Sequence, residues 1–401
     1  MPAVLPETAR RILDHDRGRD PVRLALKYAK IQASAFAFLR ATPFLYFADV
    51  PLPPVLAGGP RSWLCGDLHL ENFGAYRGSN GLVYFDINDF DEAALAPVGW
   101  DLGRLLASMM VAADESTWPR QAWQSAVEAC VHTYAETLAT GKPLWIERRT
   151  ARGPIRSLLR QLARRRVRLL LKSRTTGRGD ARRLLKDGRR ALPATAAERA
   201  KVRALMQQLA TAGTVPSKVL DVARRIAGTS SLGSERYVVL LQGPGGADAV
   251  HLVDLKTEAR PASLVAGAVA APFKTDAART VELQTIGQAV PPVGLSAQRM
   301  GRRWYFMREL QPTEDRMNIE RLKDVTELGA FAADLGRLTA WMHLRGAGRY
   351  GADGVDTLMA FGRRRDWRKP LVAHARAARD RVHDQHREFA AVDPMLLKPD
   401  R

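Results

Sequence analysis

Two short polar runs in the first quarter of the chain indicate the fold and the site. Residues 66–72 read Gly-Asp-Leu-His-Leu-Glu-Asn, and residues 86–91 read Asp-Ile-Asn-Asp-Phe-Asp. Each run follows a short apolar stretch typical of a buried strand, residues 63–65 before the first and residues 82–85 before the second. The sequence therefore predicts two polar loops that lie together at the ends of strands.

The side chains in these loops are those that a magnesium and phosphate site uses. Magnesium prefers oxygen ligands and usually takes one or two protein carboxylates. Phosphoryl transfer needs an Asp that orients the attacking hydroxyl, and an Asn and an Asp on the metal, which Asp67, Asn72 and Asp89 would supply. Asp86 and Asp91 are further candidate metal ligands, because clustered carboxylates repel one another unless a cation offsets them. The alternatives are an ordinary capped turn for the first run and a solvated acidic turn for the second.

The composition limits the class of protein. The formal net charge is +20, with 62 Lys and Arg against 42 Asp and Glu, and such a charge attracts polyanions. Residues 148–190 carry much of this excess, and we favour a solvated helix face there over a nucleic-acid site, because base-stacking aromatics are missing. Two cysteines exclude a disulfide framework and fit a reducing compartment. With no apolar run long enough to span a membrane and no secretory signal, we expect a cytoplasmic protein.

The hydrophobic pattern changes along the chain and predicts an α+β fold. Residues 1–50 and the region from residue 100 to about residue 211 have helical periodicity, whereas strand patterns dominate after residue 215. The elements predicted beyond that point are hairpin strands at 237–241 and 250–255 about a turn at 243–246, a helix at 277–288, a strand at 304–307, and helices from residue 319 onward.

The two polar runs also resemble a known pair of motifs. Residues 66–72 are similar to the catalytic loop of the aminoglycoside and choline kinase branch of the protein-kinase-like fold, which reads Gly-Asp-x-His-x-x-Asn. Residues 88–93, followed by Asp101-Leu102, resemble the metal-binding segment of that branch. The resemblance implies ATP and Mg²⁺ as cofactors and a role for each residue: Asp67 as catalytic base, His69 as a mainly structural member of the loop, Asn72 and Asp89 as metal ligands, and Asp101 as a brace for the loop.

The order of the parts differs from that in kinases, where a glycine-rich loop and a lysine precede the catalytic loop. Here the matching parts follow it, as the loop from Gly228 to Gly233, which includes Ser231, and as Lys256 at the end of a predicted strand. Glu282 on the next helix would pair with Lys256. The alternatives are a generic turn and a surface lysine. The resemblance thus implies a circularly permuted, two-lobed kinase-like fold divided into an N-terminal helical segment (1–60), a lobe with the catalytic loop (61–215), a small β-rich lobe (216–312) and C-terminal helices (313–401).

The whole chain is similar to a bacterial family known as domain of unknown function 2252, and this similarity includes residues 65–74 and 228–241. We expect an ATP- and magnesium-dependent phosphotransferase that acts on an unknown small-molecule or protein acceptor. The alternatives are a catalytically inactive nucleotide-binding regulator, a metal-dependent phosphohydrolase, and a basic protein that binds polyanions such as nucleic acid through residues 148–190.

Overall fold

The computed structural model describes residues 5–163, 167–216, 218–243, 249–269, 272–310 and 315–397. The fold is a mixture of helices and antiparallel sheets, so the predicted α+β class is confirmed. The helices are α1 (Glu7–His15), α2 (Pro21–Ala33), α3 (Ala35–Ala41), α4 (Pro43–Asp49), α5 (Pro54–Ala57), α6 (Gly99–Glu115), α7 (Arg120–Thr140), α8 (Gly153–Ala163), α9 (Val167–Arg174), α10 (Ala196–Thr211), α11 (Asp276–Gly287), α12 (Val325–Gly346), α13 (Val355–Arg363) and α14 (Arg368–Ala390).

The strands are short in the first part of the chain, and most of those after residue 217 are longer. They are β1 (Arg61–Leu64), β2 (Phe73–Arg77), β3 (Val83–Ile87), β4 (Ala94–Pro97), β5 (Ile146–Glu147), β6 (Thr175–Thr176), β7 (Arg183–Leu184), β8 (Ala191–Pro193), β9 (Lys218–Arg225), β10 (Arg236–Gln242), β11 (Val250–Thr257), β12 (Ser296–Met300), β13 (Arg303–Leu310) and β14 (Asp315–Arg316). The described residues form a six-stranded sheet in the order β12-β13-β11-β10-β9-β8 and a four-stranded sheet in the order β14-β2-β3-β5.

Helices from both ends of the chain enclose the largest apolar core. Helices α6, α7 and α12 pack around β1, β3 and the loops that follow them. The crossing of α7 and α12 depends on a glycine, because a Cβ atom on Gly336 would lie 2.2 Å from the carbonyl oxygen of Cys130. The N-terminal helices begin at caps that the sequence supplies, since Asp20 accepts from the backbone of Arg23 and Ser34 from that of Ala37. These helices pack against α14.

The predicted hairpin of β10 and β11 is confirmed, with antiparallel pairing over Arg236–Gln242 and Val250–Lys256. Of its predicted turn, residues 244–246 lie outside the described part of the chain. Helix α10 packs its apolar side on one face of the six-stranded sheet. The sheet extends to the N-terminal side of residue 216, because β8 forms its edge.

The prediction of continuous basic helices up to residue 211 is wrong for residues 175–195. Helix α9 ends at Arg174, and β6, β7 and β8 follow before α10 begins. Glycines interrupt this region, and at Gly177 a positive φ of 75° opposes helical continuation. In the part of the chain that the structure describes, no helix combines the length and the apolar composition that a membrane span needs.

Candidate functional site

The loop at residues 66–72 is fixed at its start by a glycine and a buried carboxylate. Gly66 has a φ of +88°, and a Cβ atom there would lie 2.0 Å from the carbonyl oxygen of Glu92. The backbone N–H groups of Cys65 and Gly66 donate to the Asp101 carboxylate at 2.8 and 2.9 Å. Asp101 is fully buried in the first turn of α6. It therefore braces the loop, which is the role that the resemblance implies for it.

Asp67 is held by Arg104, a residue that the sequence analysis does not predict. Arg104, three residues after Asp101 on α6, donates through Nε to Asp67 Oδ1 at 2.8 Å. The Asp67 side chain is only 15% exposed. Burial raises the pKa of Asp67 to about 6, although the guanidinium of Arg104 opposes this increase. Asp67 is thus an oriented carboxylate that loses its proton close to neutral pH. The i, i+3 spacing of Asp101 and Arg104, which places both on one side of α6, is the signal that could have revealed this contact.

His69 and Asn72 shape the loop from within. His69 Nδ1 accepts a hydrogen bond from the backbone N–H of Glu71 at 3.2 Å, which caps a short 3₁₀ turn over Leu70–Asn72. Burial and nearby arginines keep the pKa of His69 well below its usual value, so the imidazole is neutral. The buried Asn72 donates through Nδ2 to the carbonyl oxygen of Asp67. This bond orients the amide so that its Oδ1 is the atom left to act as a ligand.

The acidic run at residues 86–91 divides into parts with different roles. Asp86, a predicted metal ligand, is buried and accepts from Arg345 Nη1 at 3.1 Å and from the backbone N–H of Ala289 at 3.3 Å. It is not among the residues that line the cavity described below, so its assignment to the metal is corrected. The physical reason is that Asp86 lies within β3, whereas Asp89 and Asp91 follow the end of the strand.

Asp89 and Asp91 lie on the open side of the same turn. Asp89 is exposed, and its carboxylate forms no hydrogen bond or ion pair within the described residues. Asp91 forms an ion pair with Lys256 at the end of β11. The Lys256 side chain is 7% exposed and lies 3.8 Å from the Glu258 carboxylate. Lys256 therefore joins the six-stranded sheet to the acidic run.

The predicted partner of Lys256 is wrong. Glu282 on α11 accepts a hydrogen bond from the hydroxyl of Tyr350 at 3.0 Å, and the carboxylates beside Lys256 belong to Asp91 and Glu258. Glu258 follows Lys256 closely in the chain and its side chain is 1% exposed. Glu258, two residues after Lys256, thus lies beside Lys256 where Glu282 of the next helix was expected.

The loop from Gly228 to Gly233 is anchored by the N-terminal helices. Both glycines have positive φ angles, of 78° and 90°, which other residues rarely adopt. Arg19 Nη1 donates to the carbonyl oxygen of Ser230 at 2.7 Å, and Lys30 Nζ donates to Thr229 Oγ1 at 3.0 Å. These contacts, which span about 200 residues of sequence, had no signal in the local pattern. They position the first four residues of the loop opposite residues 67–72.

One cavity brings the predicted segments together. It encloses about 40 Å³, enough for an ion with a few water molecules, since one water needs about 10–15 Å³. Its lining comprises Arg40, Cys65, Asp67, His69, Asn72, Asp89, Asp91, Glu92, Gly228, Thr229, Ser230, Ser231 and Arg316. Gly233, Lys256 and Glu282 are outside this lining, although Lys256 reaches it through Asp91.

Three charged lining residues were not predicted from the sequence. Arg40 and Arg316 both form ion pairs with Glu71, at 2.6 and 2.7 Å, so two positive charges border the acidic cavity. Glu92 accepts from the backbone N–H of Ala262, and burial raises its pKa to about 7. Arg40 precedes the loop by more than 25 residues, so local spacing gives no signal for this contact.

The donor set fits magnesium with phosphate better than a metal held by protein alone. Within the described ranges, no group of three or more His, Cys, Asp or Glu side chains is arranged to hold a metal ion. Magnesium does not need such a group, because it keeps waters and phosphate oxygens beside one or two protein carboxylates. The Asn72 amide oxygen and the Asp89 carboxylate supply neutral and anionic oxygen donors of this kind.

The fold and site define an α+β protein with a carboxylate-rich cavity bordered by arginines. The chain belongs to the family described as uncharacterized protein conserved in bacteria (DUF2252), whose model matches residues 19–392. The match confirms the family expected from the sequence. No curated protein and no solved structure matches the chain significantly.

Proposed function

We propose that this protein is an ATP- and magnesium-dependent phosphotransferase with a circularly permuted, kinase-like fold. The observation that carries the proposal is the cavity in which residues 67–72, 89–92 and 228–231 meet. Phosphoryl transfer needs positioning and charge stabilisation more than covalent chemistry, and an Asp, an Asn and a second Asp around one cavity supply both. The acceptor would carry a hydroxyl group, because an Asp base of this kind receives a hydroxyl proton.

The order of the elements supports the permutation. From residue 218 onward the chain gives a strand, a glycine-containing loop, a second strand and a third strand that ends near Lys256. Kinases have a glycine-rich loop over the phosphates and a lysine on their third strand. Helix α12 then ends beside β1, since Ser62 Oγ donates to the carbonyl oxygen of His343 at 2.9 Å. Strand β1 leads into the loop at residues 66–72, so the helix and loop that are consecutive in kinases are neighbours here.

Each residue has a defined part in the proposed reaction. Asn72 and Asp89 would hold Mg²⁺, which neutralises charge on the phosphates when it is bound. Asp67 would accept the proton of the acceptor hydroxyl, because its pKa of about 6 leaves it ionised at pH 7. Arg104 fixes the orientation of that carboxylate through Oδ1. Backbone N–H groups of the loop from Gly228 would face the phosphates.

The test is magnesium-dependent release of ADP from ATP, with water as the default acceptor. We expect slow release by the natural protein and a loss of about 10²-fold or more in Asp67→Asn, the usual contribution of a general base. Asp356→Asn, at the exposed start of α13, is the matched control and should retain full activity. Equal rates for Asp67→Asn and the control would contradict the assignment of the base.

Two alternatives are distinguished by ADP release and by a second substrate. A catalytically inactive regulator would bind nucleotide and release no ADP in any variant. A metal-dependent phosphohydrolase would cleave p-nitrophenyl phosphate at rates that depend on Asp67 and Asp89, because the same carboxylates would then activate water.

A further inference from the structure

An arginine of the N-terminal helices lies inside the small acidic cavity. Arg40, at the end of α3, lines this cavity together with the predicted loop residues Asp67 and Asn72. Arg40 is only 7% exposed, so its guanidinium is held within the protein. Burial of a charge is costly unless partners compensate for the lost water. The partners of Arg40 therefore indicate what the residue does.

Arg104 connects the turn of α3 that carries Arg40 to the proposed base. It donates through Nε to Asp67 Oδ1 and through Nη2 to the carbonyl oxygen of Leu39, each at 2.8 Å. Because Leu39 immediately precedes Arg40, one buried guanidinium fixes the end of α3 relative to the base. Burial lowers the pKa of Arg40, and the carboxylates of Asp67 and Asp89 are among the groups that oppose this decrease. Arg40 thus interacts with both the proposed base and a proposed metal ligand.

The contacts of Arg40 with the described residues leave part of its guanidinium available. Arg40 Nη1 forms an ion pair with Glu71 at 2.6 Å, and the guanidinium carbon lies 5.9 Å from the centroid of the Phe36 ring. Arg40 Nε is buried and has no hydrogen-bond partner among the described residues. A guanidinium has five N–H donors in a planar fork. Arg40 can therefore keep its ion pair with Glu71 and also donate to a ligand.

The other charges of the cavity define the ligand that fits. Four carboxylates line it, and three have partners within the protein, namely Asp67 with Arg104, Asp91 with Lys256, and Glu92 with the backbone N–H of Ala262. The fourth is that of Asp89, the proposed Mg²⁺ ligand. The guanidinium groups of the lining are those of Arg40 and Arg316, which share the Glu71 carboxylate. Because the lining is acidic as a whole, an anion would bind here only together with a divalent cation, as a phosphate does with Mg²⁺.

We infer that Arg40 is a catalytic residue that binds the terminal phosphate of ATP, the group that is transferred. The inference rests on the proposed function, because the terminal phosphate would lie between the acceptor at Asp67 and the magnesium at Asp89. As the acceptor oxygen bonds to phosphorus, its proton passes to Asp67 and the bond from phosphorus to the ADP oxygen breaks. Arg40 takes no proton and forms no covalent bond. It stabilises negative charge on the oxygens of the transferred group, a task that an arginine performs in other phosphoryl-transfer enzymes.

The experiment is a pair of calorimetric titrations, one with MgATP and one with MgADP. We expect Arg40→Gln to weaken MgATP binding by about tenfold or more and MgADP binding by less than about threefold, because only ATP has the phosphate that Arg40 contacts. Arg40→Lys keeps the charge but loses the paired geometry, so it should weaken MgATP binding alone, by about threefold or more. This variant decides the question if Arg40→Gln does not fold. Arg10→Gln, at an exposed position of α1, is the matched control and should bind both nucleotides as the natural protein does.

Glu71→Gln distinguishes phosphate binding from a purely structural role of Arg40. If Arg40 only held the loop through Glu71, then Glu71→Gln and Arg40→Gln would lower the affinity for both nucleotides by the same factor. If Arg40 binds the terminal phosphate, Glu71→Gln leaves the guanidinium in place, and MgATP affinity should fall by less than about threefold. Equal losses in the two variants would overturn the inference.

The outcomes also separate this inference from the proposed function. If the natural protein binds MgATP and both Arg40 variants retain its affinity, the inference is overturned and the phosphotransferase proposal stands. Equal losses of MgATP and MgADP affinity in the Arg40 variants would have the same meaning. If the natural protein binds neither nucleotide in the presence of Mg²⁺, the proposed function fails and the inference fails with it.

Discussion

The buried Asp254 makes a quantitative prediction about stability. Its side chain has no exposed surface, and it neutralises Arg225 and Arg236 on the site-facing side of the sheet. Asp254→Asn keeps the size of the side chain but removes the charge, which leaves two guanidinium groups that are only 10% exposed. Removing one partner of a buried ion pair costs about 3–5 kcal/mol. Because the arginines retain some access to water, we expect a loss of about 3 kcal/mol in the free energy of unfolding.

The assay is urea unfolding followed by tryptophan fluorescence and circular dichroism. The matched control is Asp114→Asn, which removes an Asp that pairs with Arg379 and His383 but is 27% exposed. An exposed pair of this kind contributes about 0–1 kcal/mol. A loss below about 1 kcal/mol for Asp254→Asn, or a loss equal to that of the control, would refute the assignment of Asp254 as a buried counter-charge.

Three further predictions concern the loop and the N-terminal helices. Burial raises the pKa of Asp67 to about 6, so ADP release should rise between pH 5 and pH 7 as the carboxylate ionises. A rate that is flat over this range would contradict the role of Asp67 as the base. Lys27→Met should lower the free energy of unfolding in urea by about 3 kcal/mol, because Lys27 Nζ lies 2.7 Å from both Asp16 carboxylate oxygens in a buried pair. A loss below about 1 kcal/mol would refute this prediction. Gly66→Ala should lower the midpoint of thermal unfolding and abolish ADP release, because the new Cβ atom would lie 2.0 Å from the carbonyl oxygen of Glu92. An unchanged midpoint would contradict the close approach of Gly66 and Glu92.

Local patterns predicted the elements around the site. The apolar runs before residues 66 and 86 correspond to β1 and β3, and the hairpin at 237–255 corresponds to β10 and β11. The contact of Asp101 with the loop at residues 66–72 was also predictable, because the spacing of Asp101 from Asp89 is part of the motif that the chain shares with the kinase branch. These features depend on a few neighbouring residues, so a single sequence carries enough information to find them.

The partners of individual charged residues were not predictable. Asp86 and Asp89 look alike in the sequence, yet only the first lies within β3, where Arg345 neutralises it. The sequence analysis expects Glu282 as the partner of Lys256, whereas the packing of α11 places Glu282 against Tyr350 and leaves Glu258 beside Lys256. Ion pairs across long stretches of sequence depend on tertiary packing, which local periodicity does not encode.

The central claim is that two segments far apart in the sequence, residues 66–91 and 228–256, form one magnesium and phosphate site. Calorimetric titration with MgATP tests it most directly, comparing the natural protein with Asp89→Asn, Lys256→Met and the control Asp356→Asn. Asp89 has no side-chain partner among the described residues, so its substitution should weaken binding without loss of stability. We predict binding that requires Mg²⁺, is about tenfold or more weaker in Asp89→Asn and in Lys256→Met, and is unchanged in the control. Absence of binding at millimolar nucleotide, or equal affinity in all four proteins, would contradict the claim.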